Sequence, residues 1–209
     1  MKAQEFELEA MGMQAIEDLR ARAERELQPD VLDHARRTAA IARELAACHG
    51  VDPDRAELAG LLHDIADSYS EHELLTEAAR YGITLNLTEA RVPKLIHGKV
   101  GAELLRSQWG ITDEELLDAV RYHLSGSPMM GTLAKITFVA DKIEPERDKF
   151  YGGLEALREL AKTDLDQAIL KLYSWRMNQL VTSGATVHED LSQARNALID
   201  RMQATWGSG

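Results

Sequence analysis

No stretch of this chain sustains the apolar–polar alternation that a half-buried strand needs. Its apolar residues recur at helical spacing instead, in segments bracketed by start and stop signals. The clearest runs from about Asp30 to His49. There Leu32, Ala35, Ala39, Ala42, Leu45 and Ala46 share one side, and Gly50 stops the helix. Such a chain is expected to fold as an all-helical domain.

The same punctuation divides the rest. Residues 4–27 read as a charged amphipathic helix, with Phe6, Met11, Ile16 and Leu19 among Glu and Arg, until Pro29 interrupts. Asp52 can cap the next helix, with Pro53 in its first turn. Ser70 with Glu73 forms a capping box, and Gly82 closes that helix. "TLNLTEARVP" reads as a loop or short turn. "LIHGKVGAELLRSQWG" reads as one helix or two short ones, and Thr112 with Glu115 as a further capping box. "SGSPMMG" is a loop before the apolar helix "TLAKITFVADKIE". From Tyr151 to Trp206 two or three amphipathic helices are expected, one capped by Thr163 or Asp164.

Composition narrows the function. Ala, Leu and Glu dominate and only 5% of residues are aromatic, which favours helix over sheet. The formal net charge of −11 argues against bulk nucleic-acid binding, although a metal and a few local cations can reverse the field at a site. The single cysteine, Cys48, allows no disulfide framework within the chain. The acidic start has no leader-like apolar core, and no apolar run is long enough to span a bilayer. A cytoplasmic protein without membrane contact is expected.

Chemistry concentrates in one ordered set. His34 sits early in its helix, and His63 and Asp64 follow the apolar run of the next. His97 opens a helix, His123 ends "AVRYH" and Asp141 ends "ITFVAD". A helical bundle can aim polar side chains from such positions into one pocket. Burying a charged pair such as His63–Asp64 costs several kcal/mol unless something compensates it. A divalent ion is one answer, and a solvent-facing helix strip is the other. Imidazole and carboxylate suit divalent iron, manganese, zinc or magnesium to differing degrees. Such an ion polarises a phosphoryl oxygen and lowers the pKa of a bound water. Taken singly, His34 reads as an ordinary hydrogen-bonded histidine, and Asp141 as a helix-end carboxylate paired with Lys142 or Arg147. The full order H…HD…H…H…D is poorly explained by accident. His49, His72 and His188 lie in polar contexts and read as solvated.

"LDHARRTAAIARELA", "AGLLHDIAD", "LIHGKVGAELL", "AVRYHLSG" and "ADKIEPERD" together resemble the HD-domain metal-dependent phosphohydrolases. They are most similar to the bacterial YqeK-type symmetrical diadenosine tetraphosphatases, from about Val31 to Leu170. The resemblance implies an HD-domain helical bundle over residues 29–209, with residues 1–28 as an accessory N-terminal helix that packs on the domain or on a second subunit. It implies His34, His63, Asp64 and Asp141 as ligands of a divalent metal, typically iron, with one or two ions. It implies His97, His123, Met129, Met130 and Arg147 as nucleotide contacts, and Asp64, His97 and His123 as the catalytic groups. The implied reaction cleaves diadenosine tetraphosphate to two ADP.

Three positions depart from the family pattern. Asp67 stands where a lysine is usual, Leu124 where a threonine is, and Ser127 where an arginine is common. They concern the substrate-facing wall rather than the metal ligands. Lys94, Lys99 and Lys135 are candidate supplementary cations, with solvated surface lysines as the plainer reading. The methionines equally suit core filling. Alternative functions are cleavage of another nucleotide or phosphate ester, and a non-catalytic module binding metal and ADP. A homodimer is compatible with the helical arm.

Overall fold

The computed structural model describes residues 13–148 and 153–206. Phe6, Met11 and Tyr151, named above, lie outside the described residues. Every regular element among the described residues is helical. The α-helices are α1 Met13–Glu26, α2 Pro29–His49, α3 Pro53–Leu62, α4 Glu71–Arg80, α5 Leu87–Arg91, α6 His97–Gln108, α7 Glu114–Tyr122, α8 Thr132–Ile143, α9 Glu155–Thr163, α10 Leu165–Thr182 and α11 Glu189–Trp206. Short 3-10 turns, Pro93–Ile96 and Pro145–Arg147, precede α6 and follow α8.

The local chemistry explains most boundaries. Pro29 opens α2, and Gly50 ends it at φ 68°, where a side chain would be strained. Asp52 caps α3 by accepting from Asp54 N, and the Ser70–Glu73 capping box opens α4. Asp164, not Thr163, caps α10. Two expectations are corrected. The stretch read as a loop contains α5, opened by a second capping box of Asn86 and Glu89. The cap of α7 is Asp113 rather than Thr112, its carboxylate accepting from Glu115 N and Leu116 N. Arg55 donates to that same carboxylate at 2.6–2.9 Å, so charge favours Asp113 over a neutral hydroxyl.

Helices α2 and α8 lie together at the centre, with α3 packed on both. Gly60 of α3 allows this approach: a Cβ there would stand 2.7 Å from Ala39 Cα. Helix α7 packs between α6 and α8, α10 backs α8, and α11 lies on α10. Leu58, Leu62, Leu116, Leu117 and Ile136 are fully buried in this core. Each contributes about 1.5–3 kcal/mol by leaving water. Ile16, Ala23 and Leu27 bring α1 into the same core. Arg20 adds contacts from α1 to Asp54 at 3.0 Å and Glu57 at 2.8 Å. A smaller cluster of Leu74, Ile96, Val100 and Leu104 fixes the start of α6. No helix among the described residues is long and apolar enough to cross a membrane.

Candidate active site

Three of the histidines sit at helix ends, where main-chain carbonyls lack intrahelical partners. His63 Nδ1 lies 2.7 Å from Gly60 O, His97 Nδ1 2.7 Å from Lys94 O, and His123 Nδ1 2.7 Å from Val120 O. A carbonyl only accepts, so each Nδ1 carries a proton and donates it. Each neutral ring therefore presents a bare Nε2 on its other side. His34 differs, since it lies inside α2, and its Nδ1 faces Glu144 Oε1 at 3.2 Å.

These Nε2 atoms converge on two carboxylates. Asp141 Oδ1 lies 3.0 Å from His34 Nε2 and 3.9 Å from His63 Nε2. Asp64 is the hub. Its Oδ2 lies 3.2 Å from His63 Nε2 and 3.7 Å from His34 Nε2, and its Oδ1 lies 3.2 Å from both His97 and His123. Gly98 permits this closure, because a Cβ there would stand 2.8 Å from Val120 O.

The electrostatics favour a cation at the centre. Burial works against the charged forms of Asp64 and Asp141, yet both are held well below the usual carboxylate range. For Asp64 the opposing influence is chiefly the charge of His63, with further contacts from His123 and His97. For Asp141 it is chiefly Lys142, His34, His63 and Arg147. His63 is fully buried, which disfavours its charge, but Asp64 and Asp141 raise it to about 9. Its Nε2 is buried with no hydrogen-bond partner although two carboxylates stand close. That is the environment of a ligand atom awaiting a positive charge, and His34, His63, Asp64 and Asp141 fit a divalent ion by donor type. His34, His63 and Asp141, and separately His63, Asp64 and His123, each bring their ligand atoms within 4.8 Å of one another.

Beside this group lies a cleft of about 370 Å³, lined by His34, Asp64, His97, His123, Asp141 and Arg147. Arg147 donates from its NH2 to Asp141 Oδ1 at 2.8 Å. The exposed Asp30 and half-buried Asp67 also line the cleft, making its mouth more acidic than the sequence motifs alone indicate. An adjoining hollow of about 240 Å³ shares Leu124, Asp141 and Arg147 with it and adds Phe138, Tyr173 and Leu191.

Other expected residues fall elsewhere. Met129 is exposed at 77%, while Met130 is buried among the hydrophobic residues of the core. Lys99 pairs with Glu89 at 2.6 Å and Asp190 at 3.3 Å, and Lys135 with Asp166 at 2.6 Å. Lys94 donates to the main-chain oxygen of Asp67. His72 is exposed, but His49 is half-buried and bonded to Ala161 O at 2.7 Å. His188 is buried rather than solvated, with Nε2 3.4 Å from Glu89 Oε1. Its Nδ1 accepts from Asp190 N at 3.0 Å, which leaves the proton of a neutral ring on Nε2. The Glu89–His188–Asp190 group is thus a charge-paired tie between α5 and α11, with Lys99 as its cation. Glu144 was not singled out by the sequence, although it follows Asp141 by one helical turn and so shares its side of α8.

The HD domain family matches residues 31–146. Three relatives are each named symmetrical bis(5'-nucleosyl)-tetraphosphatase. That of Bacillus subtilis is 38% identical, covering 75% of this chain and 82% of the relative. That of Halalkalibacterium halodurans is 34% identical, with 75% and 82% covered. That of Staphylococcus aureus is 30% identical, with 83% and 89% covered. A crystal structure of an HD superfamily hydrolase from Clostridium acetobutylicum, described as involved in NAD metabolism, superposes with a TM-score of 0.82. It is 31% identical, and 90% of this chain and 97% of that one are covered. On these likenesses the chain belongs to the HD-domain family, among the proteins named symmetrical bis(5'-nucleosyl)-tetraphosphatase.

Proposed function

We propose that this chain is a metal-dependent hydrolase that cleaves diadenosine tetraphosphate symmetrically into two ADP. The observation that carries the reading is the convergence of His34, His63, Asp64 and Asp141, with the unpartnered His63 Nε2 among them. The names of the three bacterial relatives supply the substrate. We assign those four residues as ligands, with iron as the ion, and place one or two ions in the group. A divalent ion held there polarises a phosphoryl oxygen and acidifies water for attack on phosphorus.

The chain's own groups divide the remaining work. Asp64 faces the ligand group with Oδ2 and the His97–His123 pair with Oδ1, so it couples the two. Burial drives His123 down to about 4, while the contact with Asp64 raises His97 despite its burial. The pair therefore carries its shared proton on the His97 side, a positive charge that would face a phosphate oxygen in the cleft. Arg147 offsets further phosphate charge. The adenosine of one half rests against the adjoining hollow, with Leu124, Phe138 and Leu191 as its apolar wall and the exposed Met129 nearby in sequence. One water is consumed, and its oxygen ends on the β-phosphate of one ADP. The bridging oxygen leaves with the other.

We assign residues 29–209 to the hydrolase domain and residues 1–28 to an accessory helix. The burial of Ile16, Ala23 and Leu27 supports an arm seated on its own domain. The test is turnover of diadenosine tetraphosphate with ferrous iron, manganese, cobalt and magnesium, with His63→Ala beside the wild type. ADP formation that requires the metal and is lost in the variant is expected. A folded, metal-loaded protein without turnover overturns the reading. The acidic mouth formed by Asp30 and Asp67 favours a second reading, a less highly charged phosphate ester, which a panel of nucleotides at equal concentration separates from the first.

A further inference from the structure

Among the four histidines of the site, His34 alone lacks a main-chain carbonyl for its Nδ1. The other three close on carbonyls three residues back, at helix ends. His34 lies in the second turn of α2, where the carbonyls are taken up by the helix itself. Its Nδ1 meets Glu144 Oε1 at 3.2 Å instead.

Glu144 is built for this contact. It is 1% exposed, although a carboxylate is among the groups least often buried. Its second oxygen, Oε2, accepts from Arg37 Nε at 2.7 Å and from the main-chain N of Glu146 at 2.9 Å. Those two donors fix the plane of the carboxylate and leave Oε1 directed at His34. Pro145 follows and holds Glu144 in an extended conformation at φ −58° and ψ 155°. The last turn of α8 thus supplies Asp141 to one side of the His34 ring, and the residue that caps the helix, Glu144, meets the other. With two donors on Oε2, Glu144 is left with Oε1 as the acceptor that faces the His34 ring.

We propose that Glu144 is a positioning residue for the metal centre: it holds the proton of His34 on Nδ1 and turns Nε2 toward Asp141 and Asp64 as a ligand atom. The inference rests on the assignment of His34 as a metal ligand. An ionised carboxylate also makes the ring a stronger donor than a carbonyl does, and removing such outer partners weakens metal binding by about 10- to 100-fold. Arg37 allows the positioning role to be separated from simple anchoring of α8 to α2. It contacts Glu144 Oε2 but not His34 Nδ1, and in its absence the main-chain N of Glu146 still holds Oε2, so the Glu144–His34 contact keeps one of its two anchors.

The experiment measures Mn²⁺ binding by electron paramagnetic resonance of the free ion, on the full chain, with folding checked by circular dichroism. Wild type, Glu144→Gln, Glu144→Leu and Arg37→Met are compared. The imidazole ¹⁵N shifts of His34 are read in metal-free protein. Glu144→Leu is expected to bind Mn²⁺ about 10- to 100-fold more weakly. Glu144→Gln, whose amide oxygen still accepts, is expected to lie between Glu144→Leu and wild type, and Arg37→Met within about threefold of wild type. The His34 shifts are expected to report Nδ1–H in wild type and a tautomer mixture in Glu144→Leu. Folded Glu144 variants that bind Mn²⁺ as the wild type does overturn the inference. So does Arg37→Met weakening binding as much as Glu144→Gln. Wild-type protein that binds no Mn²⁺ removes the metal-centre reading itself, and the inference with it.

Discussion

The Nε2 atoms of His97 and His123 lie 2.9 Å apart, and each ring has already committed its Nδ1 proton to a main-chain carbonyl. Two bare imine nitrogens at that separation repel. A proton or a metal must stand between them, and Asp64 Oδ1, 3.2 Å from both, supplies the counter-charge. Replacing either ring removes this arrangement while leaving His34, His63, Asp64 and Asp141 in place. His97→Gln and His123→Gln are each expected to lower turnover by about 10²- to 10⁴-fold. Steady-state kinetics, with metal content measured in parallel, checks this.

Metal removal should be visible without any substrate. Asp64 and Asp141 are both buried and ionised, and the two charges are offset only by neighbouring cations and histidines. Adding a divalent ion at 100 times its dissociation constant should stabilise the protein by about 2.7 kcal/mol. Thermal melts with chelator and then with Mn²⁺ test it. An Asp64→Asn, Asp141→Asn double variant should lose the metal-induced shift.

The Glu89–Lys99–His188 tie gives a pH dependence away from the site. Burial would raise the Glu89 carboxyl, but hydrogen bonds from His188 and Lys99 lower it to about 2, against an ordinary 4.5. A depressed carboxylate stabilises the fold fully above the ordinary value and loses that contribution as pH falls toward about 2. At neutral pH Glu89→Gln should cost about 1–3 kcal/mol, because it leaves the half-buried Lys99 with Asp190 as its remaining partner. Denaturant midpoints of wild type and variant should differ widely at pH 7 and converge in strong acid. A gap unchanged across that range contradicts the account.

Gly60 joins packing to the site. A methyl group there would press on the main chain of α2, 2.7 Å from Ala39 Cα, with no flexible side chain to yield. Gly60→Ala is expected to destabilise the fold by about 1–3 kcal/mol, measured by chemical denaturation. Its carbonyl holds His63 Nδ1, so weaker metal binding should accompany the loss.

The ends of α2, α3 and α4 were legible because Pro29, Gly50, Asp52 and the Ser70–Glu73 box act locally. Helix α5 was missed because it has five residues and no apolar run behind its capping box. Thr112 and Asp113 are adjacent caps by local rules, and Arg55, 58 residues upstream, favours the second. The order of His34, His63, Asp64 and Asp141 was legible and the resemblance implied their role as ligands; the structure brings the four side chains together. Glu144 was not legible, since its role depends on a ring 110 residues away. His188 was misread for the same reason: it is buried against Glu89 of a helix distant in sequence, which no local pattern links to it.

The central claim is tested most directly by product analysis in heavy-oxygen water. Wild-type protein with Mn²⁺ or Fe²⁺ is given diadenosine tetraphosphate, and products are resolved by chromatography and mass. The account predicts ADP as sole product, with one heavy oxygen in one of every two ADP molecules. ATP with AMP, or ADP without label, would contradict it.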